Sequence, residues 1–552
     1  MTQQTFDTVL DCVNFLSKTF NIIDTIDCDQ YDPTSVLLYE RIKKLHKDSF
    51  DSNDRIVFTL TKDYYKNSNP GLMLQSIQSM LNDVDISNFF VCLVSTNPAT
   101  ESDYQWVLKN VSQDPVPVHI YNCHGNFELI PSDGVPYTKF LKANTDGLSL
   151  RHKQLLFDSK TFCLVPWISM MLHTNSQVRP CCESNETVGN SSKSTLEEIW
   201  NDQPLCQMRT DMLAGNSIKS CQVCYDKESI GRDSLRKSVN RRFAKHVAKV
   251  DSTQDDGKLP KFELNYIDAR FNNLCNLACL MCNPTNSSSW YQPAVRFGMI
   301  DRSQKALLIA GRNEKDIFQQ LMSTIDTVER VYFAGGEPLM IDQFYQIVEE
   351  LDRRGKHDVE LVYNINMTKN KLKDKSIFDY WKNFKNISIG ASLDGELERG
   401  EYLRVGTYWD DVVEFRHEMI KRRPDIDFYV SATLTLINAL HLPDFHRSWV
   451  EQGLIEPKDF NIQPLYQPEY LRADSSPEKL KSAIANKYAE HLNWLRPNDP
   501  MGRATYSFES ALNYVNTQRP FDPELFWNEV KKLDDYYGQD LLTVFPELVD
   551  LL

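Results

Sequence analysis

The sequence predicts an α/β protein: a partial (β/α)6 barrel preceded by a Cys-rich module and an N-terminal α/β domain. Three observations predict it. Strand-like runs alternate with helix-period stretches six times between residues 258 and 475. Nine of the thirteen cysteines fall between residues 163 and 282. The first 150 residues also alternate strand and helix, the pattern of a parallel sheet with covering helices. A chain of 552 residues is too long for one core. The boundaries read as an N-terminal domain at 1–150, the Cys-rich module at 155–230, a basic helical linker at 231–257, the barrel at 258–475 and closing helices at 476–552.

In the first domain "DRIVFTLTK", "NFFVCLVSTN" and "PVHIYNCHG" are β-rich. "GLMLQSIQSMLNDV" and "SDYQWVLKNV" between them carry helical spacing. No glycine-rich phosphate loop is present there, so the domain's role is open. The barrel strands are drawn at "FELNYIDARF", "ERVYFAGG", "VELVYNIN", "NISIGASLD", "DFYVSATLTL" and "DFNIQPLY". Helices such as "IDQFYQIVEELDRRG" and "WDDVVEFRHEMIKRRP" lie between them, and "PELFWNEVKKLDDYYGQDLL" closes the chain. Chemistry on such a barrel is expected at the C-terminal ends of the strands.

Hydrophobic content of 41% and charged content of 25% describe a globular protein. The net charge of −15 argues against a general attraction to nucleic acid. One segment runs the other way: "GRDSLRKSVNRRFAKHVAKV" (231–250) is strongly basic. It reads as a solvated linking helix, with a docking surface for an acidic partner or nucleic acid as the alternative. The longest apolar run, "VPWISMML", is too short for a membrane helix, and the N-terminus lacks a signal-peptide pattern. The expectation is a cytoplasmic protein with no membrane partner. In that compartment thiols stay reduced. Cys12, Cys28, Cys92, Cys123 and Cys206 read as buried small side chains, and the dense block reads as metal-binding.

"LCNLACLMC" (274–282) sets Cys275, Cys279 and Cys282 on one loop after the first barrel strand, and no cysteine follows. A structural zinc site wants four ligands and an ordinary ferredoxin cluster four thiols. Three leave a position open for a ligand. The C-x3-C-x2-C spacing resembles the signature of the radical S-adenosylmethionine (SAM) superfamily. The resemblance implies that Cys275, Cys279 and Cys282 hold a [4Fe–4S] cluster whose fourth iron is chelated by SAM. "AGGEP" (334–338) resembles the family's GGEP element, which implies that Gly335, Gly336 and Glu337 hold the SAM amino group. Glycine suits such a place because a side chain blocks close backbone approach. In the same way Asn366, Ser392, Arg404 and Asn438 match cofactor-side positions of the family, with Arg404 facing the SAM carboxylate. Met281 stands where an aromatic residue is common. A thioether also packs on a ring, so this changes cofactor packing only.

The second set lies in "FCLVPWISMMLHTNSQVRPCCES", "VGNSSKSTLEEIWND" and "SCQVCYDKE". These stretches resemble the auxiliary-cluster module called SPASM, or its shorter relative twitch. The implied ligands of a second, fully thiolate-held [4Fe–4S] cluster are Cys163, Cys181, Cys221 and Cys224, with Cys182 as the rival of Cys181. Here the module precedes the barrel, whereas relatives generally carry it after. A structural zinc site is the competing reading.

The resemblance implies an oxidoreductase or maturase-type enzyme. It would cleave SAM reductively to a 5′-deoxyadenosyl radical and take hydrogen from a substrate, expected to be a peptide or protein side chain. The electron donor would be a flavodoxin- or ferredoxin-like protein. A dehydrogenase or modifier of a small molecule or nucleotide is the alternative. An iron–sulfur electron carrier or a zinc-stabilised binding protein is the alternative of another class.

Overall fold

β-Branched and aromatic runs build five strands in the N-terminal unit: β1 (Asn21–Asp27), β2 (Asp54–Thr61), β3 (Phe89–Val94), β4 (His119–Asn122) and β5 (Asn126–Leu129). β1, β2 and β3 form a parallel sheet in that order, and β4 pairs antiparallel with β5. The computed structural model describes these strands and residues 148–552, apart from 230–233, 500–501 and 518. The helices expected at 71–84 and 102–111, and the cysteines at 12, 28 and 123, lie outside the described residues.

The second unit comprises Ala143–Ile230, Ser234–Asp499 and Arg503–Leu552. It opens with three short strands, β6 (Met171–Leu172), β7 (Gln177–Arg179) and β8 (Gly189–Asn190), and the helices α1 (Leu196–Trp200) and α2 (Leu235–Arg242). Thr195 caps α1, accepting from the Glu198 amide, while the Glu198 carboxylate accepts from the Thr195 amide. Then come β9 (Tyr266–Ala269), β10 (Ala278–Cys279), β11 (Arg330–Phe333), α3 (Asp342–Arg353), β12 (Glu360–Ile365) and the small hairpin β13 (Lys371–Leu372) and β14 (Lys375–Ser376). β15 (Asn386–Ala391), β16 (Arg404–Val405), α4 (Trp409–Arg422), β17 (Asp427–Leu434) and β18 (Phe460–Pro464) follow. The closing helices are α5 (Glu478–Leu495), α6 (Arg503–Val515) and α7 (Pro523–Tyr537).

All six expected barrel strands form, in one nine-stranded sheet of order β18-β17-β15-β12-β11-β9-β6-β7-β8. Every pairing from β18 to β6 is parallel, and β7 and β8 run antiparallel. The Cys-rich module thus adds strands to the leading edge of the barrel sheet. On the other edge α6 packs beside β18, and Ser507 Oγ accepts from the Ile462 amide at 2.6 Å.

Alternation decides the two faces of the sheet. Val331, Phe333, Leu361, Tyr363, Ile387 and Ile389 point outward into the helical layer and are buried. Phe333 stacks on Tyr363 at 4.2 Å and meets Phe344 of α3 edge-on at 5.0 Å. The intervening positions, Arg330, Tyr332, Asp427 and Tyr429, are polar and face the barrel interior.

From Ser234 onward the basic segment finds acidic partners within this chain. Arg242 pairs with Glu360, Lys245 with Glu329 at 3.0 Å and Lys249 with Glu263 at 3.5 Å. Glu360 opens β12 and Glu329 precedes β11, so the segment docks on the N-terminal end of the barrel sheet. Among the described residues no helix is long and apolar enough to cross a membrane.

Candidate functional site

The three-cysteine loop leaves the C-terminal end of β9 and is pinned by the polar run after it. Carbonyl oxygens of Cys275, Leu277 and Cys279 accept from Ser289 Oγ at 2.8 Å, Ser287 Oγ at 2.7 Å and Trp290 Nε1 at 2.8 Å. The Cys275 amide donates to Ser288 Oγ at 3.2 Å. Sequence reasoning passed over this "NSSSW" stretch; its signal was three hydroxyls in a row behind a metal loop.

The glycine pair is explained by close approach. Gly335 has φ +89° and Gly336 φ +53°. A Cβ on Gly336 would lie 2.2 Å from the Leu274 carbonyl oxygen, and one on Gly335 would lie 2.6 Å from Arg270 Cβ. The Glu337 amide donates to that same Leu274 carbonyl at 2.7 Å. Glu337 is buried, and its two oxygens accept from the Leu339 amide at 3.1 Å and the Asn366 amide at 2.8 Å. Asn366 Nδ2 donates to Asn276 Oδ1 within the cysteine loop at 3.0 Å. Ser392 directly follows β15, and its amide donates to the Ile365 carbonyl at 2.8 Å.

Arg404 is delivered by a two-residue ladder in which β16 pairs with β10, setting Arg404 opposite Cys279. Its Nη1 lies 3.7 Å from Cys279 Sγ, and its Nε forms an ion pair with Asp394 Oδ2 at 2.7 Å. Asn438 is fully buried, and its amide is spent inside the chain: Nδ2 donates to the carbonyls of Asp394 and Thr433, and Oδ1 accepts from Thr435. Asn438 therefore positions the Asp394 turn in this structure.

Burial dominates the electrostatics. It pushes the Cys275 and Cys282 thiols up to about 12 and raises Cys279 as well, against the nearby Arg404 charge. Cys275 and Cys282 each sense Cys279, as thiols gathered at one place do. Neutral buried thiols give up their protons to a metal that replaces them. The Tyr537 hydroxyl at the end of α7 is buried without a hydrogen-bond partner and interacts electrostatically with Cys279. The donor set and this orphaned hydroxyl fit a cluster at Cys275, Cys279 and Cys282.

Burial also lifts the Glu337 carboxyl from its ordinary 4.5 to about 7. The unfolded chain then releases this proton first. The metal-free protein is therefore expected to lose stability as pH rises from about 4.5, by roughly 3 kcal/mol in all, and to level off above about 7. Thermal unfolding of the metal-free protein at several pH values checks this, and Glu337→Gln removes the slope.

The second set lines a separate cavity, with Cys163, Cys181, Cys221 and Cys224 on its wall beside Tyr225 and Arg236. Burial raises all four thiols, Cys221 to about 11. Gly189 makes room for the helix of this module: a Cβ there would lie 2.6 Å from the Ile199 side chain. Cys182 is absent from that wall. It is exposed, and desolvation together with the nearby Asp268 carboxylate raises its thiol. Cys206 is buried elsewhere. Four thiols on one cavity fit a fully ligated cluster.

A three-thiol loop at the C-terminal end of a parallel sheet and a separate cavity walled by four thiols both carry the donor chemistry of iron–sulfur clusters. Residues 163–225 match the family model of SPASM, an iron–sulfur cluster-binding domain. Cys163, Cys181, Cys221 and Cys224, the four thiols of the cavity, all fall within this matched iron–sulfur domain. Among curated protein sequences none matches significantly. Among solved structures, native anSMEcpe with bound AdoMet is 18% identical at TM-score 0.29, over 45% of this chain and 61% of that one. Native anSMEcpe with bound AdoMet and Kp18Cys peptide is 19% identical at TM-score 0.29, over 41% and 59%. TYW1 with a lysine-pyruvate adduct bound is 13% identical at TM-score 0.23, over 41% and 70%. The chain spans about three fifths of the length of the anSMEcpe structures.

Proposed function

We propose that this chain is a radical SAM enzyme that oxidises or cross-links a peptide or protein side chain, with a flavodoxin- or ferredoxin-like protein as its electron donor. The observation that carries the enzymatic reading is the convergence of the cysteine loop, the glycine pair and Arg404. Backbone pairing joins Arg404 to Cys279, and the Leu274 carbonyl joins the loop to Glu337. An electron carrier has no use for such a pocket. The chemistry that SAM and the open-site cluster supply when bound is reductive cleavage of the sulfonium and abstraction of hydrogen from substrate.

The protein's part is to bind and orient. Cys275, Cys279 and Cys282 hold the cluster. Gly335 and Gly336 leave the backbone bare for the SAM amino group, and the buried Glu337 carboxylate gains a cation to answer its charge. Asn366 and Ser392 line the strand ends, and Arg404 faces carboxylate and thiolates together. Asn438 acts one step back, by holding Asp394. Cys163, Cys181, Cys221 and Cys224 hold the auxiliary cluster apart from the open site.

The test is anaerobic reconstitution followed by dithionite and SAM. Formation of 5′-deoxyadenosine, with iron near about eight per chain as two four-iron clusters require, is the expected result. Full iron without deoxyadenosine moves the protein to the electron-transfer class, and zinc in the second set makes that set structural.

A further inference from the structure

Asn276 directly follows Cys275 in the cysteine loop, and its side chain reaches across to the end of β12. Three side chains meet there. Asn276 Nδ2 donates to Thr368 Oγ1 at 2.9 Å, Thr368 Oγ1 donates to Asn366 Oδ1 at 2.8 Å, and Asn366 Nδ2 donates to Asn276 Oδ1 at 3.0 Å. Each side chain gives one hydrogen bond and takes one, so the three close a ring.

A backbone contact fixes the direction of the ring. The Thr368 amide also donates to Asn366 Oδ1, at 3.0 Å. An N–H cannot accept, so the Asn366 atom facing Thr368 is the carbonyl oxygen, and the Asn366 amino group is left for Asn276. The atom it meets on Asn276 is then the oxygen, which frees the Asn276 amino group for the Thr368 hydroxyl. Bonds that all run the same way polarise one another and act as a unit.

The ring joins two constrained stretches of backbone. Met367, between Asn366 and Thr368, is fully buried at φ +63°, a conformation that so large a side chain keeps only where its surroundings hold it. On the other side of the loop Gly406 sits at φ +99°, and a Cβ there would lie 3.0 Å from the Asn276 carbonyl oxygen. The Asn366 amide, meanwhile, donates to Glu337 at 2.8 Å. Asn366 thus touches the cysteine loop through its side chain and Glu337 through its backbone.

We propose that Asn276, Asn366 and Thr368 are positioning residues whose ring holds the cysteine loop in register with Glu337. The proposal rests on the SAM reading, in which the loop's cluster and Glu337 serve one ligand. Asn366 acts through Asn276 and Glu337, since both lone pairs of its Oδ1 are taken by Thr368. A loop that lost the ring would keep its three thiols for iron but would no longer be tied to the Glu337 side of the pocket. Loss of the ring therefore shows in SAM affinity and leaves iron content intact.

The full-length, anaerobically iron-reconstituted protein is compared with Thr368→Val, which keeps the shape and removes the hydroxyl, and with Thr368→Ser, which keeps the hydroxyl. Thr368→Val is expected to retain about eight irons per chain. It weakens SAM binding in equilibrium dialysis about tenfold, equivalent to about 1.4 kcal/mol, and alters the change that SAM makes in the electron paramagnetic resonance signal of the reduced cluster. Thr368→Ser restores both. Asn276→Ala gives the same loss and serves if the valine variant fails to fold. The two changes together lose little more than either alone, because one break opens the ring. Hydrogen exchange of the peptide at 274–280 reads the ring without SAM: faster in Thr368→Val and Asn276→Ala, unchanged in Thr368→Ser. Parent-like SAM binding in Thr368→Val, losses that add, no rescue by serine, or exchange at 274–280 untouched by the valine variant would overturn the ring. If the parent itself binds no SAM, the SAM reading falls and the exchange experiment alone decides the ring.

Discussion

Alanine at Cys275, Cys279 and Cys282 together abolishes deoxyadenosine formation and lowers bound iron from about eight to about four per chain. Cys181→Ala gives the complementary loss: about four irons remain, all at the open site. Cys182→Ala keeps about eight. The separation follows from geometry. The first three thiols sit on a loop fixed by its own serines, and the other four line a cavity built from the SPASM module and the start of α2. Neither set borrows a ligand from the other. Iron and acid-labile sulfide assays on the three variants, with electron paramagnetic resonance of each reduced sample, check the result. A Cys181→Ala protein that keeps full iron while Cys182→Ala loses half would reverse the ligand assignment.

The barrel was legible because each of its six parallel strands spans four to eight residues with β-rich composition, enough to show a pattern. The three strands of the module were not, since two or three residues carry no period. For that reason the fusion of module and barrel into one sheet appears only in three dimensions. The cysteine sets were legible by spacing, but the choice between Cys181 and Cys182 was not, because which way each side chain points depends on the fold around it. The docking of the basic segment was hidden for a related reason. Arg242 and Glu360 are 118 positions apart, and charge composition alone does not say where a partner lies.

Ser392 in "SLDG" drew notice on family grounds, while Asp394 two residues later went unmarked. In the structure Asp394 ties Arg404 to the fold. It is wholly buried, with Oδ1 accepting from the Thr433 amide at 2.6 Å and Oδ2 paired with Arg404 at 2.7 Å. Arg404 is therefore a buried cation whose charge is answered by one carboxylate and by the thiols near it.

Asp394→Ala strands that cation, and breaking a buried pair from one side costs about 3–5 kcal/mol. Replacing both partners, as Asp394→Leu with Arg404→Met, is expected to cost less than the single change, because no charge is left without a partner. Denaturant unfolding of the metal-free proteins reads this sign directly. The two variants part company in function. The double variant regains stability yet loses the guanidinium 3.7 Å from Cys279 Sγ, so SAM cleavage stays impaired while the fold recovers. Stability recovered together with full SAM cleavage would show that Arg404 serves the fold alone. A double variant less stable than Asp394→Ala would show that the pair contributes more than its charges.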